Sequence, residues 1–362
     1  MVKKVLQNIG LIIFSVISVL LIFEGVVRLL PRSTLPKQLR ASLELMHLYQ
    51  QEESWFIPDR DLLYKIRPHT DFVVHHPDYT VRVKTNLNLD GIGFRGGSQG
   101  GKVWAVAVGD SFTFGAGVNL EETWAFELAN SFGREVINLG VPGQGPAQYT
   151  RILKRYGLPM QPRVAFYGFY FNDLLASHRF YRLKNRWLPV RRYLRQYSIT
   201  FTLVQRVLAS QRENSGHSKG DKVEVNFNPD PLLRRTLERQ DRKFDQRWQV
   251  TTKELAQAIK ASKDANVTFV LLYFPSRWEV YWDLIKQQGT LPNSLNISRL
   301  ATTVMAYCAT QDILCLDLTE PLRSKARLGK QLYFQTDGHW NAEGHRVVAE
   351  AIQKYLISKG VQ

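Results

Sequence analysis

From Val103 onward, short apolar runs alternate with longer segments of mixed character. Val103–Val108 (VWAVAV) is uninterrupted, and comparable runs follow at Glu135–Leu139, Arg163–Phe171, Asn266–Phe274 and Ile313–Leu318. Runs of this length without polar alternation belong to strands covered on both faces, as in a parallel sheet. Between them, helices are predicted near Glu122–Phe132, Gln148–Tyr156, Pro231–Ala265 and Ser298–Ala309, with a last one at Ala342–Ser358. That last helix has Asn341 as N-cap, an apolar row Val348, Ile352 and Leu356, and Gly360 past its end. Such alternation predicts an α/β fold: a five-stranded parallel sheet with helices on both faces and all strand C-termini at one edge.

The N-terminus carries a different pattern. Ile9–Phe23 is fifteen residues without a charge, and Ile9–Leu30 extends it to 22 residues interrupted only by Glu24 and Arg28. That length spans a bilayer. Lys3 and Lys4 precede it and no small-residue cleavage site follows, so the stretch reads as a retained signal anchor, with a buried helix of a soluble protein as the alternative. A short basic head ahead of a first apolar segment places the N-terminus inside and the body outside the cytoplasmic membrane. Arg28, Arg32, Lys37 and Arg40 on the far side run against the positive-inside rule.

The chain therefore divides into an anchor (1–30), a linker with a small β extension (31–100) and a main domain (101–362). Within the extension, helical periodicity is confined to Pro36–Gln51, and Asp71–Leu87 with its His-Pro-Asp break predicts a hairpin. His75 and His76 are neighbours on a strand and face opposite sides, so they cannot easily share a metal ion. Residues 173–230 interrupt the strand–helix rhythm as an insertion. Its part Arg179–Arg212 holds nine Arg or Lys residues among several aromatics. It reads as a lid, a partner-binding or headgroup-contacting element, or an ordinary solvated helix.

Charge sharpens the choice of partners. The 362 residues hold 48 Lys+Arg against 32 Asp+Glu, a net +16 that suits lipid headgroups or acidic polysaccharide. No nucleic-acid signature accompanies the charge, so no nucleic acid is expected as a partner. Cys308 and Cys315 allow one disulfide or two unpaired core thiols, and their spacing suits no metal site. Neither a metal nor a cofactor is expected.

Four stretches then converge on the same sheet edge. Gly109-Asp110-Ser111 follows the first strand and reads either as a capped turn or as a nucleophile at a strand tip. Asn138–Gly145 (NLGVPGQG) follows the second, Phe171-Asn172-Asp173 ends the third, and Thr336–Asn341 (TDGHWN) precedes the last helix. Acyl transfer needs a nucleophile, a base, an orienter for the base and donors for the oxyanion. In that order the four stretches resemble the blocks of SGNH (GDSL-type) hydrolases, over about residues 101–360. The spacing Asp337-Gly338-His339-Trp340, one residue shorter than the usual Asp-x-x-His, is similar to the membrane-associated branch linked to polysaccharide O-acetylation.

The resemblance implies a three-layer flavodoxin-like fold and a serine esterase. Ser111 is then the nucleophile, His339 the base and Asp337 its orienter. The N–H groups of Ser111 and Gly143, with Gly140 as the fallback, and the amide of Asn172 form the oxyanion hole. Phe112 stands where the family name has leucine, and Tyr170 where a glycine is usual. His345 reads as a surface or packing residue. The substrate expected is an O-acyl ester of a cell-surface or exported glycan. The alternatives are an O-acetyltransferase, a lipid esterase, or a non-catalytic glycan-binding member of the fold.

Overall fold

The apolar N-terminal stretch folds as one helix, α1 (Val2–Leu29), in a computed structural model that describes residues 2–36, 39–40, 43, 55–96, 102–184, 198–200, 203, 244–288 and 297–361. Much of the predicted insertion, most of Pro36–Gln51 and residues 231–243 of the predicted long helix lie outside the described residues. The chain divides into two compact units, residues 1–56 with 185–217, and residues 57–184 with 218–362.

In the first unit, Gly10–Leu29 is long and apolar enough to cross a membrane. Its one acid is fully engaged. Glu24 accepts from the N–H groups of Ile199 (2.7 Å) and Thr200 (3.1 Å) and from the Thr200 hydroxyl (3.0 Å), and it pairs with Arg28 at 2.8 Å. A carboxylate within an apolar stretch needs such partners. Val27, Leu35 and Ile199 form a small buried cluster beside it.

Apart from Phe56, the second unit begins with three two-stranded pairs, β1 (Phe56–Asp59) with β2 (Leu63–Ile66), β3 (Asp71–His76) with β4 (Tyr79–Lys84), and β5 (Leu87–Leu89) with β6 (Ile92–Phe94). The expected hairpin is β3–β4, antiparallel and in register from Asp71 opposite Lys84 to His76 opposite Tyr79.

The central sheet comprises β7 (Val103–Val108), β8 (Glu135–Asn138), β9 (Val164–Phe169), β10 (Thr268–Tyr273) and β11 (Leu314–Asp317). All five are parallel, in the order β11-β10-β9-β7-β8. This is the flavodoxin-like order, in which the chain leaves β7 for β8 on one side and returns past it to β9. The point between β7 and β9, where the winding reverses, is where α/β sheets open a crevice at their C-terminal edge.

Helices follow the strands: α2 (Ser111–Phe114), α3 (Trp124–Phe132), α4 (Pro146–Ile152), α5 (Asp173–Lys184), α6 (Phe244–Asp264), α7 (Arg277–Val280), α8 (Trp282–Gln288), α9 (Arg299–Gln311), α10 (Thr319–Arg327) and α11 (Ala342–Ser358). Helices α3 and α11 pack together on one face of the sheet, while α4, α5 and α6 pack together on the other. Helix α4 starts two residues before its predicted Gln148, because Gly145 serves as N-cap and Pro146 takes the first helical position, where its missing N–H costs nothing. Cys308 on α9 and Cys315 on β11 form a disulfide, with Cα atoms 6.2 Å apart.

Candidate active site

The turn after β7 is built by its own sequence. The Asp110 side chain caps α2 by accepting from the Phe112 N–H at 2.9 Å, and Gly115 closes the single turn in the left-handed region at φ 82°. Gly109 must lack a side chain, since a Cβ there would lie 2.1 Å from the Thr113 hydroxyl. Ser111 is thereby fixed as the first residue of the turn, at the C-terminal edge of the sheet.

His339 reaches it from the loop before α11. That loop is closed by the Tyr333–Trp340 bridge and by the Phe334 N–H donating to the His339 carbonyl at 3.0 Å. Asn341 ends it, its side chain accepting from the Gly344 N–H at 2.9 Å. Trp340 is fully buried, with its ring 4.8 Å from Phe112 and 4.9 Å from Phe274. These contacts set the imidazole over the turn, with His339 Nε2 2.7 Å from Ser111 Oγ and Nδ1 2.5 Å from Asp337 Oδ1. A carboxylate can only accept, so Nδ1 carries the hydrogen and Nε2 accepts from the serine hydroxyl. The shortened Asp-x-His spacing does not keep the two side chains apart. Instead it lets the His339 N–H donate to the same Oδ1 at 3.0 Å.

The electrostatics favour this arrangement. Burial would raise the Asp337 carboxyl, but the hydrogen bond and charge of His339, with the Tyr79 hydroxyl, overcome it and hold the group well below its usual range. Asp110, fully buried, is pushed upward by burial, partly offset by the Phe112 N–H and the charge of His339.

The other predicted residues have the following surroundings. Asn172 follows β9, and its Nδ2 donates to Asp110 Oδ2 at 3.4 Å. Gly143 adopts φ 73°, a conformation natural to glycine. The Gly140 N–H is spent on Asn138 Oδ1 at 3.0 Å, whereas among the described residues nothing accepts from the N–H of Ser111 or Gly143. The turn at Asn172 is held by Asp173, which accepts from the Tyr170 N–H and the Tyr149 hydroxyl, each at 3.0 Å. His345 takes no part. It is buried, its Nδ1 accepts from the Trp124 N–H at 3.2 Å, and burial with the Arg95 charge lowers its pKa to about 3.

Sequence reasoning missed the contribution of the β extension. Tyr64 donates to the Pro142 carbonyl at 2.9 Å, and Gln144 Nε2 donates to the Tyr64 carbonyl at 2.8 Å, so β2 clamps the NLGVPGQG loop. At the tip of the β3–β4 hairpin, Asp78 and Tyr79 bind the loop that carries Asp337. Their only local signal is the turn itself.

The comparisons with known proteins agree with the resemblance. Residues 229–361 match the family described as SGNH hydrolase-like domain, acetyltransferase AlgX. This chain is similar to SGNH hydrolases. Among solved structures, a putative G-D-S-L lipolytic protein from Desulfitobacterium hafniense aligns at 15% identity, over 70% of this chain and 99% of its own, with a TM-score of 0.41. TesA aligns at 14% identity over 71% and 99%, with a TM-score of 0.39. A catalytic mutant of an acetylxylan esterase from Geobacillus stearothermophilus aligns at 11% identity over 71% and 96%, also with a TM-score of 0.39. No curated protein matches the chain.

Proposed function

We propose that the protein is a membrane-anchored serine esterase that transfers acyl groups through Ser111, acting on O-acyl esters, acetyl above all, of an exported or cell-surface glycan. The observation that carries this reading is the line of contacts from Ser111 Oγ to His339 Nε2 (2.7 Å) and from Nδ1 to Asp337 (2.5 Å).

A serine hydroxyl is a weak nucleophile near neutral pH until a base accepts its proton. As Oγ attacks the ester carbonyl carbon, its proton passes to Nε2 of His339, and Asp337 stabilises the imidazolium. The carbonyl oxygen becomes an oxyanion held by the N–H groups of Ser111 and Gly143 and by the Asn172 amide. Asn172 turns from Asp110 to reach it. Collapse expels the alcohol oxygen, which takes the proton from His339 and leaves an acyl ester on Ser111. Water or a second hydroxyl then attacks that ester by the same route in reverse.

The family description as an acetyltransferase supports acetyl as the acyl group and favours a second reading, in which a sugar hydroxyl rather than water resolves the intermediate. The two differ only in the last acceptor. The apolar helix supports an anchor, and the disulfide supports an oxidising compartment, hence a catalytic domain outside the cytoplasmic membrane.

The test is hydrolysis of p-nitrophenyl acetate by the full-length protein in detergent. The wild type should release nitrophenol and Ser111→Ala should lose at least about 10³-fold in kcat. Equal rates for the two proteins would sink the nucleophile. Added oligosaccharide that speeds nitrophenol release and becomes acetylated itself would mark the transferase.

A further inference from the structure

The β3–β4 hairpin delivers two polar side chains to the aspartate of the catalytic loop. Oδ2 of Asp78 accepts from the Thr336 N–H, the Thr336 hydroxyl and the Asp337 N–H, each at 2.8 Å. The Tyr79 hydroxyl donates to Asp337 Oδ2 at 2.9 Å. That oxygen is the one His339 leaves unused, since both the ring and the backbone N–H of His339 bind Oδ1. The Tyr79 ring packs against two others, stacked on His76 at 4.7 Å and tilted against Phe334 at 4.7 Å. Gly117 leaves room for this packing, because a Cβ there would come 2.5 Å from Phe334 and 3.0 Å from Tyr79. A phenol packed against two rings offers its hydroxyl within a narrow range of positions.

We infer that Tyr79 and Asp78 are positioning residues of the triad, Tyr79 by locking the second oxygen of Asp337 and Asp78 by fixing the backbone that carries it. With a single residue between Asp337 and His339, both bonds from the histidine fall on one oxygen. The carboxylate needs an outside partner to stop it rotating away from the imidazole. The hairpin supplies that partner from outside the four family blocks. The inference rests on the Ser111–His339–Asp337 reading proposed above.

The charged and titratable groups acting on this pair are Asp78 and His76 on the hairpin, Arg277 on α7, Asp110 beneath Ser111, and His345 on α11. None of these is altered by Tyr79→Phe, which removes one hydroxyl and keeps the ring. Without that donor, Asp337 concentrates its charge on the imidazole and holds the doubly protonated ring more strongly. The acidic limb of the rate profile then moves to higher pH.

The experiment measures kcat, KM, the pH profile and the melting temperature of the full-length protein in detergent, with p-nitrophenyl acetate. Tyr79→Phe should lower kcat about tenfold at unchanged KM, move the acidic limb upward and leave melting near that of the wild type. Asp78→Ala should lower kcat as well, while Asp78→Asn, which keeps an accepting oxygen, should recover most of it. A Tyr79→Phe protein with wild-type kcat and an unmoved limb overturns the inference, even if its melting temperature falls. If Ser111→Ala is as active as the wild type, the underlying triad reading fails and the inference falls with it. Loss in Ser111→Ala together with an unaffected Tyr79→Phe strikes the inference alone.

Discussion

Two histidines six residues apart do opposite work. His339 lies where a serine hydroxyl and a carboxylate can reach both ring nitrogens, the placement that the proposed role as base requires. His345, one turn into α11, is sealed in the core with its Nδ1 accepting from the Trp124 backbone, so it must stay neutral. Its pKa of about 3 in the fold, against 6.5 unfolded, means the unfolded chain binds the extra proton between those values. Stability from this residue is complete above pH 6.5 and is lost as the pH falls through 6.5 toward 3. Urea unfolding from pH 7 to 4 should show the wild type weakening faster than His345→Gln, so that the gap between them narrows in acid. Parallel slopes would contradict a neutral buried His345.

At the scale of elements, the turn that carries Ser111 is tightly built, with Asp110 capping it and Gly109 leaving no room for a side chain. Gly109→Ala would drive a methyl into the Thr113 hydroxyl 2.1 Å away and force the single turn of α2 to open. Such overpacking should cost about 1–3 kcal/mol of stability and most of the esterase activity, read by thermal melting and nitrophenol release. Thr113→Val replaces a buried hydroxyl that has no hydrogen-bond partner by a methyl of similar shape, and should be nearly neutral in the same assays.

The sheet was legible because its strands are covered on both faces, so that VWAVAV and VAFYGF read as continuous apolar runs. Ser111, Asn172 and His339 were legible because strand ends and a helix start gave each a place at one edge. The contacts of Asp78 and Tyr79 were not, because their partners lie 258 or 259 residues away and nothing local marks a turn that binds a distant loop. The helices α7, α8 and α10 also escaped notice. They span four, seven and nine residues, and α7 and α10 begin within four residues of the strand before them.

At the scale of the whole molecule, two features bear on where the protein works. One is the apolar span of α1, and the other is the Cys308–Cys315 disulfide, which links α9 to the last strand of the sheet. A bridge closing so short a loop contributes about 2–3 kcal/mol and is rare in the reducing cytoplasm. Thiol alkylation of membranes carrying the protein should label neither cysteine before reduction and both after it. Labelling without reductant would place the domain in the cytoplasm and reverse the proposed orientation.

The central claim is that Ser111 becomes covalently acylated with the help of His339. A fluorophosphonate probe followed by peptide mass spectrometry tests it most directly. Full-length wild-type protein should carry the adduct on Ser111, and His339→Ala should slow that labelling at least about 100-fold. Absence of an adduct on Ser111, or labelling that proceeds as fast without His339, would contradict the account.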